Sequence, residues 1–209
     1  MKYTLDRSDT VTALNGATLY RIRYEDDTRG GYLQSTANLD PTGNAWVSGN
    51  ARVSGDAWVS GNAWVSGNAR VSGDAWVSGN ARVSGNARVS GDAGVSGNAR
   101  VSGDAGVSGN AQVYGDARVS GNAGVSGNAQ VSKTSHYMTL GPLGSRNAFL
   151  TVCRDSKLGI SYTTGCFFGS REAFVAAVES THGDTSHGNA YAAAVMLADH
   201  VVPAFTPET

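Results

Sequence analysis

A single six-residue pattern dominates the chain. Fifteen consecutive units fill residues 43–132 in near-perfect register, and each reads Gly-[Asn/Asp]-Ala-x-Val-Ser, with Tyr114 in place of one Ser. A strict period of six residues is typical of parallel β-helices, in which each unit is one short strand and one corner. The period therefore predicts a mainly β solenoid, in which only the fourth position of the unit is free to vary.

The unit also separates an inside from an outside. Ala and Val are two residues apart, so on an extended strand they point to the same side and the variable residue between them points to the other. We therefore expect Ala and Val to form the core. At each boundary, Gly permits the backbone angles of a tight corner, while Asn or Asp tolerates the left-handed region and bonds its own backbone.

Written from its Val, the unit is Val-Ser-Gly-[Asn/Asp]-Ala-x, which resembles the hexapeptide repeat of left-handed parallel β-helix proteins. In that family an aliphatic residue fills the first position, a small residue fills the fifth, and three hexads make one triangular coil. The resemblance covers residues 43–132 and implies a left-handed helix of about five coils. At roughly 4.8 Å per strand layer, this prism would be about 24 Å tall.

The flanking segments carry a narrower resemblance, to uncharacterised hexapeptide-repeat proteins of bacteriophage and prophage genomes. The segments concerned are residues 19–23, 30–33, 38–39, 141–147, 165–169, 174 and 182–184. This resemblance implies three parts. They are an N-terminal cap of strand and loop (residues 1–42), the β-helix (43–132), and a small C-terminal α+β module (133–209).

Stacking every third hexad sorts the outward residues into three faces, with like residues on consecutive coils. The first face carries Trp46, Trp64, Arg82, Arg100 and Arg118, the second Arg52, Arg70, Arg88, Gly106 and Gly124, and the third Trp58, Trp76, Gly94, Gln112 and Gln130. Four outward indoles would form an apolar patch that monomers rarely leave bare. Either residues 1–40 cover them, or they contact another subunit or a partner, because Trp and Arg are favoured interface residues.

The arginine columns of the first two faces allow two interpretations. Within each column, neighbouring arginines are about one strand spacing apart and repel one another. Corner carboxylates such as Asp56, Asp74 and Asp92 would neutralise a solvated surface of this kind, to which exposed pairs contribute little. Alternatively, the column binds a small anionic ligand such as a nucleotide, because guanidinium groups suit phosphate.

Beyond residue 133 the pattern predicts strands at 136–140, 148–154 and 159–164. A helix capped by Ser170 follows and runs towards Gly183, and a second helix covers about residues 188–200. Irregular modules on a rigid scaffold commonly carry binding. We therefore predict a partner-binding surface there, together with a second surface on the coils. The first comprises Arg146, Cys166, Phe167 and Phe168, and the second comprises Arg82, Arg100 and Arg118.

The titratable residues of the module give no metal signature. His182, Asp184 and His187 lack regular zinc spacing and a Cys-x-x-Cys partner, so neither a metal nor a cofactor is predicted. A His at the C-terminal end of a helix and an Asp in a turn would account for them. Cys153 and Cys166 are expected to be buried, inert thiols, although Cys166 with His182 could imitate a nucleophile pair.

Composition limits the compartment and the partners. The formal net charge is −1, which gives no global basic field for nucleic acid. Residues 190–202 are apolar but are interrupted by Asp199 and His200 and are too short to cross a bilayer. The absence of a signal-like N-terminal run and the two cysteines fit a reducing compartment. We expect a cytoplasmic protein, in the host cytoplasm if a phage encodes it, without a membrane partner.

The coils also lack the residues that enzymes of this architecture use. The enzymes of the family that the repeat resembles are mostly acyltransferases, which use a His base, and carbonic anhydrases, which bind zinc through three His. Residues 43–131 contain no His, Cys, Lys or Glu, so only a corner Asp could act as a base. We expect a non-enzymatic, homo-oligomeric phage-type binding protein that inhibits a host defence complex. The alternatives are a sponge for nucleotides or similar anions at Arg-lined subunit interfaces, and a structural virion component.

Overall fold

The computed structural model describes residues 2–205, and its middle is a parallel β-solenoid. Each hexad forms one two-residue strand, and strands eighteen residues apart pair in parallel, as Trp46 does with Trp64. Numbered in chain order, the strands of the first face are β4 (Trp46–Val47), β7 (Trp64–Val65), β10 (Arg82–Val83), β13 (Arg100–Val101) and β16 (Arg118–Val119). The second face has β5 (Arg52–Val53), β8 (Arg70–Val71), β11 (Arg88–Val89), β14 (Gly106–Val107) and β17 (Gly124–Val125). The third has β6 (Trp58–Val59), β9 (Trp76–Val77), β12 (Gly94–Val95), β15 (Gln112–Val113) and β18 (Gln130–Val131).

The core of the solenoid is made by the two small apolar positions of the unit. Every Ala and every Val of the hexads is at most 1 % exposed. The expected division into inward Ala and Val and an outward fourth position is therefore confirmed. Because the interior contains only these small side chains, neighbouring strands approach closely and each coil repeats the last.

The corners differ from the expectation in one respect. The corner glycines from Gly49 to Gly127 take the left-handed conformation, with φ between 60° and 71°, whereas the Asn and Asp residues that follow them do not. A Cβ on Gly67 would lie 3.0 Å from the backbone of Gly85, so the stacked corners leave no room for a side chain. The Asn side chains instead bond along the solenoid axis: Asn62 donates to Asn80 at 3.0 Å, and Asn80 donates to Asn98 at 3.1 Å.

The N-terminal cap is a three-stranded antiparallel extension of the second face, rather than the single strand and loop expected. Its strands are β1 (Tyr3–Thr12), β2 (Thr18–Tyr24) and β3 (Arg29–Leu33). β3 pairs in parallel with β5, and after a 3-10 turn at Thr36–Asn38 the Leu39 backbone bridges to Val59. The cap thereby adds a turn to the five built from hexads, which makes about six turns.

The C-terminal module is a four-stranded antiparallel sheet with two helices. Its elements are β19 (Tyr137–Leu143), β20 (Ala148–Asp155), β21 (Gly159–Thr164), β22 (Phe167–Ser170), α1 (Arg171–His182) and α2 (Ser186–Val201). The predicted Ser170 cap is confirmed, since its side chain accepts from the Ala173 amide at 3.3 Å. β22 was not predicted, and of residues 165–169 only the first two form a turn. The last four residues of the predicted module lie outside the described residues.

The module lies on the last coil through strand β20. The Gly124 amide donates to Thr151 Oγ1 at 2.9 Å, and the Asn128 amide donates to the buried Asp155 at 3.3 Å. The two units therefore share an interface of partly buried hydrogen bonds. Within residues 2–205, no helix has both the length and the apolar character that crossing a membrane requires.

Candidate functional site

A cavity of about 270 Å³ opens in the C-terminal module between the sheet and the helices. Two turns and two helices form it. The β19–β20 turn contributes Arg146, the β21–β22 turn contributes Cys166, α1 contributes His182 and α2 contributes Tyr191. Gly165, with φ at 54°, allows the sharp turn that brings Cys166 to the opening.

The floor of this cavity is aromatic. Phe174 of α1 lies at its centre, with ring-centroid distances of 5.0 Å to Tyr162, 5.3 Å to Phe167 and 5.6 Å to Tyr191. Stacked and edge-to-face pairs of this kind add stability beyond the area they bury. The floor is therefore a rigid apolar surface.

The rim of the cavity is polar. Arg146 Nη1 donates to Cys166 Sγ at 3.9 Å, which joins the two turns. The His182 ring stacks on Tyr191 with centroids 5.7 Å apart, at the C-terminal end of α1 where the helix dipole favours a cation. The rim thus places one permanent positive charge beside an aromatic floor.

Two polar atoms in or near the floor are buried without a partner in the described part of the chain. They are Thr164 Oγ1, on the cavity wall, and the Tyr162 hydroxyl. Burial raises the pKa of Tyr162 to about 12, which keeps the phenol neutral. Unpaired buried polar groups are uncommon in folded proteins and are more frequent at functional sites.

The two cysteines lie in opposite environments. Cys153 on β20 is buried, and desolvation, followed by the nearby charge of Asp155, raises the pKa of its thiol well above the ordinary range. It is the inert thiol that was expected. The same expectation is wrong for Cys166, which is exposed at the cavity rim because its turn projects beyond the sheet.

The structure brings together three of the four residues predicted for the module surface, namely Arg146, Cys166 and Phe167. Phe168 points away from them, since alternate residues of β22 face opposite sides, and its ring packs over Gly127 on the last coil. Sequence reasoning missed Tyr191 and Thr181 as cavity residues. Their positions along α2 and α1 were visible, but nothing local indicated that these helix faces meet the β19–β20 turn.

A second candidate surface lies on the first face of the solenoid. A groove of about 230 Å³ is lined by Arg82, Arg100, Arg118, Asn80, Asn98 and Asp116. Among residues 2–205, these arginines form no ion pair with a corner carboxylate. The column of Asp56, Asp74 and Asp92 stands at the corner between the second and third faces, whereas the groove of the first face contains Asp116.

The N-terminal cap covers only one of the four indoles. Tyr24 stacks on Trp46 with ring centroids 3.6 Å apart and the planes 6° from parallel. Trp58, Trp64 and Trp76 are 41 %, 47 % and 36 % exposed. Covering by residues 1–40 therefore accounts for Trp46 and leaves the other three on the surface.

The His-rich segment of the module gives no metal site in the described part of the chain. The rings of His182 and His187 are 5.9 Å apart, and no third His, Cys, Asp or Glu joins them in a ligand cluster. Asp184 lies in the turn between the helices, as the sequence suggested.

Comparison with known families finds one match. The model described as YdcK Beta solenoid repeat matches at residues 45–61, 63–79, 81–97, 93–109, 111–127 and 117–133. Each matched stretch is close to the eighteen residues that separate paired strands. No curated protein matches the chain. Over these stretches the coils of this protein are therefore similar to the repeats of the YdcK beta solenoid.

Proposed function

We propose that this chain is a non-enzymatic binding protein of phage type, which acts in the host cytoplasm as an inhibitor of a host protein complex. The coils, with the left-handed winding that the hexapeptide resemblance implies, serve as a rigid spacer. The C-terminal module is the main contact surface. The observation that supports this proposal is the cavity at which Arg146, Cys166 and Phe167 meet.

The size and lining of that cavity suit a side chain of a protein partner. At about 270 Å³ it is slightly below the usual 300–1,000 Å³ of small-molecule sites. An aromatic or aliphatic anchor would fill the floor around Phe174, and an adjacent acidic residue would pair with Arg146. Interface hot spots commonly combine a filled apolar pocket with a charged rim of this kind.

The contacts of Cys166 favour binding over catalysis. Within the described residues its thiol bonds to Arg146 and to no imidazole, although His182 lies at the same cavity. Activation of a thiol by a general base requires that base within hydrogen-bond reach, and the hydrogen bonds of the described residues give Cys166 none. The coils add no His, Cys, Lys or Glu, so the proposal includes no acyl transfer and no zinc chemistry.

Affinity capture from a host lysate tests this proposal. The wild-type protein is immobilised beside Arg146→Ala, Ala177→Trp, which fills the cavity from α1, and Arg100→Ala on the coils as the matched control. We expect a host complex to be retained by the wild type and by Arg100→Ala, and to be lost from both cavity variants. Equal capture by all four proteins would contradict a contact through the module.

The groove along Arg82, Arg100 and Arg118 supports a second candidate, a sponge for small anions such as nucleotides at subunit interfaces. Three guanidinium groups without ion-pair partners among residues 2–205 leave their donors available to phosphate. A thermal-shift screen with nucleotides tests it. Stabilisation that Arg100→Ala abolishes and Arg146→Ala leaves intact is expected if the groove is the site.

The third alternative, a virion component assembled by end-to-end stacking, has less support. Strand β3 covers the first coil and strand β20 lies against the last one. Both ends of the described solenoid are therefore covered by other segments of the chain. End-to-end stacking would require the segment that contains β3 or β20 to be displaced.

A further inference from the structure

A second cavity, of about 280 Å³, lies between the tip of the β1–β2 hairpin and the second face of the solenoid. The hairpin tip contributes Leu14 and Asn15. The face contributes Arg52 and Arg70, with Ser54 and Ser72 two residues after each arginine. None of these residues belongs to the module cavity or to the groove of the first face.

The two arginines of this cavity are unlike the other arginines of the coils. Arg52 and Arg70 are on adjacent strands in direct register, and both are half-buried. Arg82, Arg88, Arg100 and Arg118 are exposed. The hairpin therefore withdraws two like charges from water at the same place.

No carboxylate compensates these two charges within residues 2–205. Arg52 Nη1 donates to the Thr12 carbonyl at 3.1 Å, and neither Arg52 nor Arg70 forms an ion pair. Asp56 and Asp74, at the corners that follow these two strands, are exposed and do not line the cavity. By contrast, Arg21 of the same cap is paired with Asp9 at 3.0 Å.

Two partly desolvated guanidinium groups at neighbouring strands repel each other more strongly than they would in water. Such an arrangement is favourable when an anion lies between them, because it removes the repulsion and accepts hydrogen bonds from both. The hydroxyls of Ser54 and Ser72 add further donors at the same wall. The donor set is therefore rich in N–H and O–H groups and contains no competing carboxylate.

We propose that this cavity binds a phosphate group, either inorganic phosphate or the phosphoryl group of a small metabolite. Bidentate guanidinium donors fit a tetrahedral oxyanion, and Leu14 offers apolar contact to a short carbon portion. At about 280 Å³ and bounded by both the hairpin tip and the coils, the cavity suits a compact phosphorylated molecule better than a nucleoside triphosphate.

Isothermal titration calorimetry at constant ionic strength tests this inference, with inorganic phosphate, glycerol 3-phosphate and ATP as the probes. The proteins are the wild type, Arg70→Gln, Arg88→Gln and Arg100→Gln. Arg88 continues the same column one coil further, outside the cavity, and Arg100 lies in the groove of the first face. The Arg70 side chain forms no hydrogen bond or ion pair with another described residue, so its replacement removes the ligand contact and leaves the hairpin attachment in place.

We expect phosphate or glycerol 3-phosphate to bind the wild type, and Arg70→Gln to weaken binding roughly tenfold or more, as expected for loss of a charge-assisted bond. Arg88→Gln, the matched control, should bind like the wild type, and Arg100→Gln reports on the groove of the first face as the competing site. Tighter binding of glycerol 3-phosphate would identify a phosphorylated metabolite as the ligand, and equal affinities would identify free phosphate.

A second measurement does not depend on the choice of ligand. In phosphate-free buffer, Arg70→Gln should melt at or above the wild-type temperature, because it removes a repulsion, and added phosphate should stabilise only the protein that retains Arg70. The proposal is overturned if no probe binds the wild type. It is also overturned if Arg88→Gln weakens binding as much as Arg70→Gln, or if binding depends on Arg100 instead.

Discussion

At the scale of the residue, adjacent positions of one hexad differ sharply in how far their side chains are buried. Val83 is fully buried, while Arg82 immediately before it is exposed. The alternation of side chains along a strand produces this difference. Adjacent positions should therefore respond oppositely to the same substitution.

We predict that Val83→Asp unfolds the solenoid and that Arg82→Asp does not. An isolated carboxylate in the Ala and Val core loses its hydration without gaining a partner, at a free-energy cost of order several kcal/mol. Thermal melting followed by circular dichroism measures the difference. A wild-type melting temperature for Val83→Asp would show that the inside and the outside had been assigned wrongly.

His136 connects the last coil to the module and should make this junction sensitive to pH. Its Nδ1 accepts from the Ser132 amide at 3.3 Å, so the ring is held in the neutral form. Burial, and then the charges of Arg154 and Lys133, lower the pKa of His136 below its usual 6.5.

The sign of the effect follows from this lowered pKa. As pH falls from about 6.5 towards the folded pKa, the unfolded chain takes up a proton that the folded chain does not, so stability decreases. We predict that unfolding free energy falls over this window in the wild type and falls less in His136→Gln. His200→Gln, at an exposed helix end, is the control, and an equal slope in all three proteins would contradict the assignment to His136.

At the scale of the element, Tyr24 is one of several side chains that attach the N-terminal cap to the first coil. The Tyr24 hydroxyl donates to the Val47 carbonyl and accepts from the Val47 amide, both at 3.0 Å, while its ring stacks on Trp46. Burial raises the pKa of Tyr24 to about 12, so the hydroxyl remains a donor at neutral pH.

We predict that Tyr24→Ala destabilises the cap by about 3 kcal/mol or more, since it removes a large buried aromatic ring and leaves two backbone groups unpaired. Hydrogen exchange at the Val47 amide should increase while exchange in later coils changes little, because repeats contact chiefly their neighbours. Tyr114→Ala, which alters an exposed ring on a later coil, should leave exchange at Val47 unchanged. Unaltered exchange in Tyr24→Ala would show that other contacts hold the cap.

At the scale of the whole molecule, the exposed indoles of Trp58, Trp64 and Trp76 lie on two adjoining faces near the N-terminal end. Trp64 Nε1 donates to Ser48 at 3.1 Å, and the Arg82 guanidinium lies 6.0 Å from its ring, so this side chain is held in place. Fixed, exposed aromatic groups are typical of interfaces.

We predict that the protein is a homo-oligomer and that the paired change Trp64→Arg and Trp76→Arg makes it monomeric. Light scattering coupled to size-exclusion chromatography at micromolar concentration measures the mass. Leu158→Arg, at another exposed apolar position, is the control for added charge and should keep the wild-type mass. A monomeric wild type would remove self-association as the role of these residues.

The repeat by itself determined the parallel solenoid, its Ala and Val core and the identity of its faces. These features depend on contacts that recur at fixed separations along the chain, so a periodic sequence specifies them locally. The ends of the segments were predicted less well. The Ser170 cap was predicted because it depends on local bonding, whereas the strand at residues 167–170 was not, because it depends on pairing with β21. The direction of Phe168, away from Cys166, depends on the same pairing.

Only the tertiary structure decided which surface residues act together. Arg146 meets Cys166 and Tyr191 because two turns and two helices converge, and Arg52 and Arg70 share a cavity because a hairpin formed from residues 3–24 arches over the second face. The exposure of an arginine in the coils likewise depends on whether a distant segment covers it. Because the hexads that carry these arginines share one sequence pattern, the hexad itself cannot encode that difference. Packing between segments that are distant in sequence follows no period, and it is this packing that produces the cavities.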